Sequence, residues 1–247
     1  MKFALFADVH SNFEALAACL AHARVLKPDA LAFVGDLVGY GADPGPIVEL
    51  VAEQAHRGAI VVAGNHDRAA AVPDAHSMNA NATRAIAWTR DQLTEAHRTF
   101  LAELPLVVQR DNLCFVHASA ETPSDWIYVT DPTQAMHSLN AAGTNYVFSG
   151  HVHTSTLYYM GATQRPIPFT PVPGVPIPVP SRRRWLAIVG AVGQPRDGNT
   201  AAGYAVADTE RSTLTFFRVP YDWPKAAAKI RAAGLPEALA QRLARGE

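Results

Sequence analysis

Five short apolar runs in this chain each end in a glycine or a turn, followed by side chains that bind metals. Phe3–Ala7 runs into Asp8-Val9-His10, and Ala30–Val34 into Gly35-Asp36. Ala59–Val62 leads to Gly64-Asn65-His66-Asp67, Leu113–Val116 to His117, and Tyr146–Phe148 to Gly150-His151-Val152-His153. A carboxylate or an imidazole is a poor choice at the end of a buried strand unless something there uses it. Side chains two apart on a strand point the same way, so Asp8 with His10, and His151 with His153, can act as pairs.

The stretches between these runs carry a helical period. Phe13 to Leu26 is apolar at Phe13, Leu16, Leu20, Ala23 and Leu26, and Pro28 stops it. Pro44 or Pro46 can open a second helix reaching about His56. Strands alternating with helices imply right-handed crossovers and a largely parallel sheet, with functional residues beyond the carboxyl ends of its strands. Residues 80–103 read as mainly helical, 106–109 and 113–116 as a hairpin, and 132–142 as a short helix. Runs at 156–159, 185–189, 204–207 and 214–219 are joined by loops alone, which predicts a second, more antiparallel sheet. Helices at about 223–232 and 236–245 close the chain. No repeat or linker divides it, so a single domain over 1–247 is expected. Residues 164–181 hold seven prolines; such a segment is expected to be extended, exposed and outside any central strand.

Composition removes several function classes. A net charge of −1 with 17% charged residues gives no broad basic field, so no stable nucleic-acid complex is expected. Cys19 and Cys114 lie in apolar runs and read as buried thiols. No apolar span is long enough to cross a membrane, and the N-terminus has no signal-like pattern, which points to a cytoplasmic protein.

Asp8, His10, Asp36, Asn65, His117, His151 and His153 offer oxygen and imidazole nitrogen without thiolate. One divalent ion does not need seven such groups; two ions sharing a carboxylate do. A two-metal site clamps the attacking and leaving oxygens of an in-line displacement at phosphorus and brings the pKa of a bound water toward neutrality.

The series Asp8-x-His10, Gly35-Asp36, Gly64-Asn65-His66-Asp67, His117 and Gly150-His151-Val152-His153 resembles the motif set of the calcineurin-like metallophosphoesterase superfamily. Val192-Gly193-Gln194-Pro195-Arg196 and the closing Arg218–Asp222 segment resemble its small prokaryotic branch of phosphodiesterases and diadenosine-tetraphosphate-hydrolase-like enzymes. The resemblance implies an α/β fold, a two-sheet αββα sandwich of mixed sheets flanked by helices. It also implies two divalent ions; manganese, iron, zinc, nickel and cobalt are all compatible with such nitrogen and oxygen donors. Asp8, His10, Asp36 and His153 would hold one, and Asn65, His117 and His151 would hold the other with Asp36 as bridge. A hydroxide between them would attack a phosphodiester or a nucleotide pyrophosphate. His66 matches the non-ligand histidine that stabilises charge or protonates the leaving oxygen, and Asp67 is a candidate to orient its ring.

Two departures qualify the likeness. Where the protein phosphatases of this superfamily carry an Asp-Arg pair, this chain reads Val38-Gly39-Tyr40-Gly41; where branch relatives read Asn-Pro-Gly-Ser, it reads Val189-Gly190-Ala191. A protein or small-molecule phosphomonoesterase is the alternative activity, and a non-catalytic scaffold on the same fold is the alternative class. Asn12, Tyr40 and Arg196 follow ligand or motif residues and are candidate substrate contacts. Arg182, Arg183 and Arg184 read as a solvated run that can attract a polyanion. His22, His56, His76, His97 and His137 read as ordinary surface or packing histidines. A small phosphoester or nucleotide is the expected partner, and a homo-oligomer is compatible with the chain.

Overall fold

The computed structural model describes residues 1–72, 78–161 and 165–247. His76 and Gln164 therefore lie outside the described residues. Two six-stranded sheets pack face to face, with helices on their outer surfaces. The first sheet is built on β1 (Lys2–Phe6), β2 (Ala30–Val34) and β3 (Ile60–Val62), which run parallel and are linked by α1 (Phe13–Val25) and α2 (Pro44–His56). A seven-residue helix not foreseen in the sequence, α3 (Asn65–Ala71), follows β3 almost at once. The predicted helix over 80–103 is two helices, α4 (Ala80–Gln92) and α5 (Glu95–Glu103), divided at Leu93-Thr94 because Thr94 caps α5 by accepting from the His97 amide.

The second sheet starts with the hairpin β4 (Val107–Arg110) and β5 (Leu113–Val116). Helix α6 (Pro132–Ala142) leads to β6 (Tyr146–Ser149), parallel to β5. After β7 (Thr156–Met160), β8 (Pro166–Phe169), β9 (Ile177–Pro178) and β10 (Arg184–Ile188), the chain forms β11 (Ala202–Asp208) and β12 (Thr213–Val219), then α7 (Trp223–Ala232) and α8 (Glu237–Arg245). The strand orders are β3-β2-β1-β11-β12-β9 and β4-β5-β6-β10-β7-β8.

This order corrects one expectation. The four loop-linked late strands do not form a sheet of their own. β7 and β10 extend the second sheet, whereas β11 pairs antiparallel with β1 and carries β12 into the first. The Pro-rich segment supplies β8 and β9, one at an edge of each sheet, where a missing N–H leaves no central ladder broken.

Strand alternation builds the layers. On β1, Phe3 and Leu5 face the second sheet and meet Phe115, Phe148 and Trp185. Ala4 and Phe6 face outward onto Leu16 of α1, Ile47 of α2 and Tyr204. Full burial of side chains this size stabilises by about 1.5–3 kcal/mol each. The outer face of the second sheet is covered by α6 through Leu139 and Ala142. Among the described residues no helix is long and apolar enough to cross a membrane.

Candidate metal centre

The carboxyl ends of β1, β2, β3, β5 and β6 converge, and all seven candidate ligands lie just beyond them. Asp8, His10, Asp36, His117, His151 and His153 are buried. The loops after β1 and β2 are laced by backbone bonds: Asp8 donates to Gly35 O (3.1 Å), His10 to Asp36 O (3.0 Å) and Ser11 to Leu37 O (2.9 Å). The second sheet is tied in where the His151 amide donates to the Asp8 carboxylate (3.0 Å).

Two sets of ligand atoms form, each within 4.8 Å: Asp8 with His10 and His153, and Asp36 with His117 and His151. Asp36 also reaches the first set, its Oδ2 standing 3.6 Å from His10 Nε2 and 3.3 Å from His117 Nε2. A third set, His10 with Asp36 and His66, meets the same limit. Asn65 is the first residue of α3, and its buried Oδ1 has no hydrogen-bond partner among the described residues.

The tautomers decide what these rings can do. Nδ1 of His10, His117 and His153 lies against the carbonyls of Val38 (3.2 Å), Val34 (2.9 Å) and Gln194 (2.6 Å). A ring nitrogen facing a carbonyl must carry the proton, so in the neutral ring Nε2 carries a lone pair. His10 Nε2 and His153 Nε2 then face each other at 3.1 Å as two acceptors. His117 Nε2 faces His151 Nδ1 at the same distance. The His10–His153 contact sets two lone pairs against each other, which repel unless a proton or cation stands with them, whereas at His117–His151 a proton on either nitrogen bridges the pair. Carbonyl clamps on the far nitrogen are the ordinary support of metal-binding imidazoles, so the donor set fits divalent cations.

The electrostatics agree. Burial holds His10 and His153 well below the usual imidazole range and takes His151 down to about 3, keeping these rings neutral. Burial pushes the Asp8 carboxyl up to about 7 despite opposing pulls from His117 and Arg196. His117 is the exception: burial would depress it, but Asp36 prevails and lifts it to about 9. His117 offers Asp8 and Asp36 a single positive charge, and a bound cation would add to it.

Asp67 requires a correction. Its Oδ1 accepts from the amides of Leu37 (2.8 Å) and Val38 (3.1 Å), and its Oδ2 from Gly64 (2.9 Å). No hydrogen bond joins it to the His66 ring; its carboxylate is spent holding the β2 loop against α3. His66 is buried, its amide donates to Asp36 Oδ1 (2.9 Å), and its Nδ1 has no partner among the described residues. Asn12 caps α1, and its amide nitrogen donates to Gly193 O (2.9 Å) and Tyr221 Oη (3.1 Å), so its side chain serves local structure. Tyr40 packs on His10 and His66 with ring centres 4.6 Å and 4.4 Å away.

A family model of the calcineurin-like phosphoesterase superfamily domain matches residues 1–212. This chain belongs to that superfamily. An uncharacterized protein of Methanocaldococcus jannaschii is 31% identical over 97% of this chain and 96% of its own. A crystal structure of a metallophosphoesterase from Sphaerobacter thermophilus superposes with a TM-score of 0.88 at 36% identity, covering 100% of this chain and 99% of that one. A hypothetical protein from Pyrococcus horikoshii OT3 shares the fold at a TM-score of 0.80 and 19% identity, covering 100% and 98%.

Two aromatic residues that no sequence motif marks also stand at this calcineurin-like centre. Tyr128 stacks on His151, ring centres 3.9 Å apart, and Trp126 lies edge-on to His117 at 6.0 Å. With Tyr40, Asn65, His66 and Asn79 they line a cavity of about 350 Å³. Two large aromatics in the loop before Pro132 were the available signal. His22, His56, His97 and His137 make local contacts, with Tyr204, Ala52, Glu49 and Glu121 respectively.

Proposed function

We propose that this chain is a phosphoester hydrolase that uses two divalent cations on phosphodiesters or nucleotide pyrophosphates. Asp8, His10 and His153 would hold one cation, Asn65, His117 and His151 the other, and Asp36 both. Bound there, the cations would supply Lewis-acid charge for the phosphoryl oxygens and lower the pKa of a water. The observation that carries this reading is the opposed His10–His153 contact, together with Asp36 Oδ2 standing within reach of both His10 and His117.

His66 is better suited to the substrate than to a metal. The rings of His10 and His117 stand 3.6 Å and 3.3 Å from the Asp36 carboxylate, whereas His66 bonds it through its backbone amide and its ring borders the cavity. Burial keeps the ring below the usual imidazole range, so it is neutral with one N–H. That N–H donates to a phosphoryl or leaving-group oxygen as negative charge grows there. The Tyr128 and Trp126 faces along the cavity support an organic leaving group, and Tyr40, where protein phosphatases of the superfamily carry Asp-Arg, argues against a dedicated protein phosphatase.

Turnover of bis-p-nitrophenyl phosphate by metal-analysed protein, with and without added manganese, tests the assignment. The expected result is metal-dependent turnover that a chelator abolishes. His66→Ala should lower kcat by about 10²–10⁴-fold while metal content stays at the wild-type level. No turnover with any divalent metal would reject the hydrolase in favour of a non-catalytic scaffold.

A further inference from the structure

Two guanidinium groups converge on Tyr40 from separate parts of the chain. Arg196, in the loop between β10 and β11, has its Cζ 6.0 Å from the centre of the Tyr40 ring, and Arg242, in the last turn of α8, has its Cζ at 5.9 Å. Tyr40 is buried against His10 and His66, so its ring links both guanidinium groups to the candidate metal centre, and the charge of Arg196 is felt at Asp8.

Neither arginine has a carboxylate partner among the described residues, and their neighbours do. Lys225 and Lys229 pair with Glu14, and Lys229 also with Asp43. Arg218 pairs with Asp197, Arg231 with Glu237, and Arg245 with Glu247. Among the described residues Arg196 makes one side-chain bond, to Gln194 Oε1 (3.1 Å), and its buried Nε is left without an acceptor. A half-buried guanidinium with idle donors is costly to keep unless an anion uses it. Its planar fork matches phosphate oxygens in bidentate fashion, and charge-assisted bonds of this kind are about twice as strong as neutral ones.

We infer that Arg196 and Arg242, gathered on Tyr40, form a second anion site that takes a phosphate linked to the one at the metal centre. The inference rests on the hydrolase reading and narrows its substrate class. A diester with a single phosphorus places its charge at the cations alone. A nucleotide pyrophosphate or dinucleotide polyphosphate carries at least one more phosphate, and the arginines give it a place.

Calorimetric titration of metal-loaded protein with methylenediphosphonate and with methylphosphonate separates two linked phosphorus groups from one, with no bond to hydrolyse. Metal content is measured after each titration. Wild-type protein should prefer the diphosphonate, and Arg196→Gln and Arg242→Gln should each reduce that preference by about tenfold. Arg242→Lys, which keeps the charge and loses the fork, should fall between and guards against a folding defect in the glutamine variant. Arg231→Gln, an exposed change in α7, should keep the wild-type ratio. Folded arginine variants with an unchanged ratio would overturn the second anion site. If wild-type protein also turns over bis-p-nitrophenyl phosphate, that result leaves the hydrolase reading intact. A ratio that falls in a protein without turnover would keep the anion site and reject the hydrolase.

Discussion

Asp8, His10, Ser11, Asp36, Tyr40, His151 and His153 all have φ between 48° and 66°, a region that side chains other than glycine rarely occupy. Each such residue costs about 1–3 kcal/mol and persists only where its surroundings impose it. Here the cost falls on the residues that border the candidate centre, because the left-handed turn lets a strand end swing its side chain into the space between the sheets. Gly64 allows a close approach instead: a Cβ there would collide with the Asp36 carboxylate and amide. Gly64→Ala should therefore destabilise the protein by about 1–3 kcal/mol, lowering Tm by several degrees, and reduce metal content. A scanning calorimetry trace together with metal analysis checks both. Cys19 and Cys114 are buried free thiols, and burial raises both, Cys114 to about 11. Neither should react with a thiol reagent in the native protein, and both should react once denaturant is added; colorimetric thiol counting reads this directly. The ligand-type residues stood out in the sequence because charged or imidazole groups interrupt apolar runs. Their supports did not: the clamps on His10, His117 and His153 are backbone carbonyls, which any residue can supply. Asp67 was misread for a related reason, since its neighbour in sequence is His66 but its bonding partners are the amides of Leu37, Val38 and Gly64.

At the scale of elements, most strands and helices could be read from period and turn residues, but β8 and β9 in the Pro-rich segment and the strand partners could not. Nothing local in Ala202–Asp208 says that it pairs with β1 across some two hundred residues rather than with β10. Helix α3 escaped notice because it is seven residues long and begins on the motif itself. Helix α7 docks on α1 through a charged cluster: Lys229 lies 2.7 Å and Lys225 3.2 Å from Glu14, and Lys229 lies 2.8 Å from Asp43. Burial pushes the Glu14 carboxyl up, but bonds from Lys229 and Lys225 outweigh it, so its folded value lies below the ordinary 4.5. A depressed acid stabilises the fold above its unfolded pKa and loses that contribution as pH falls through the folded value. Glu14→Gln should thus lower stability at pH 7, by about 1 kcal/mol or less because the lysines are partly exposed, and make no difference well below pH 4.5. Urea unfolding of both proteins at pH 7 and near pH 3 shows whether the gap closes.

Across the whole molecule, the donors come from both sheets. Asp8, His10, Asp36 and Asn65 follow strands of the first, and His117, His151 and His153 follow strands of the second. Cations held among them would join the two layers at one end of the sandwich, opposite faces already packed through Phe3, Phe115 and Phe148. Ligand that binds only the folded state stabilises it by about 2.7 kcal/mol per site at a hundredfold excess over Kd. Chelation should lower Tm, and added manganese should restore it, in wild-type protein but far less in Asp36→Asn. One carboxylate, Asp36, would serve both cations, and metal content per chain reads this. Elemental analysis of manganese-saturated, desalted protein should give about two ions per chain for wild type and fewer than one for Asp36→Asn. A wild-type chain that retains one ion or none at saturation, or an Asp36→Asn chain that still retains two, would contradict it.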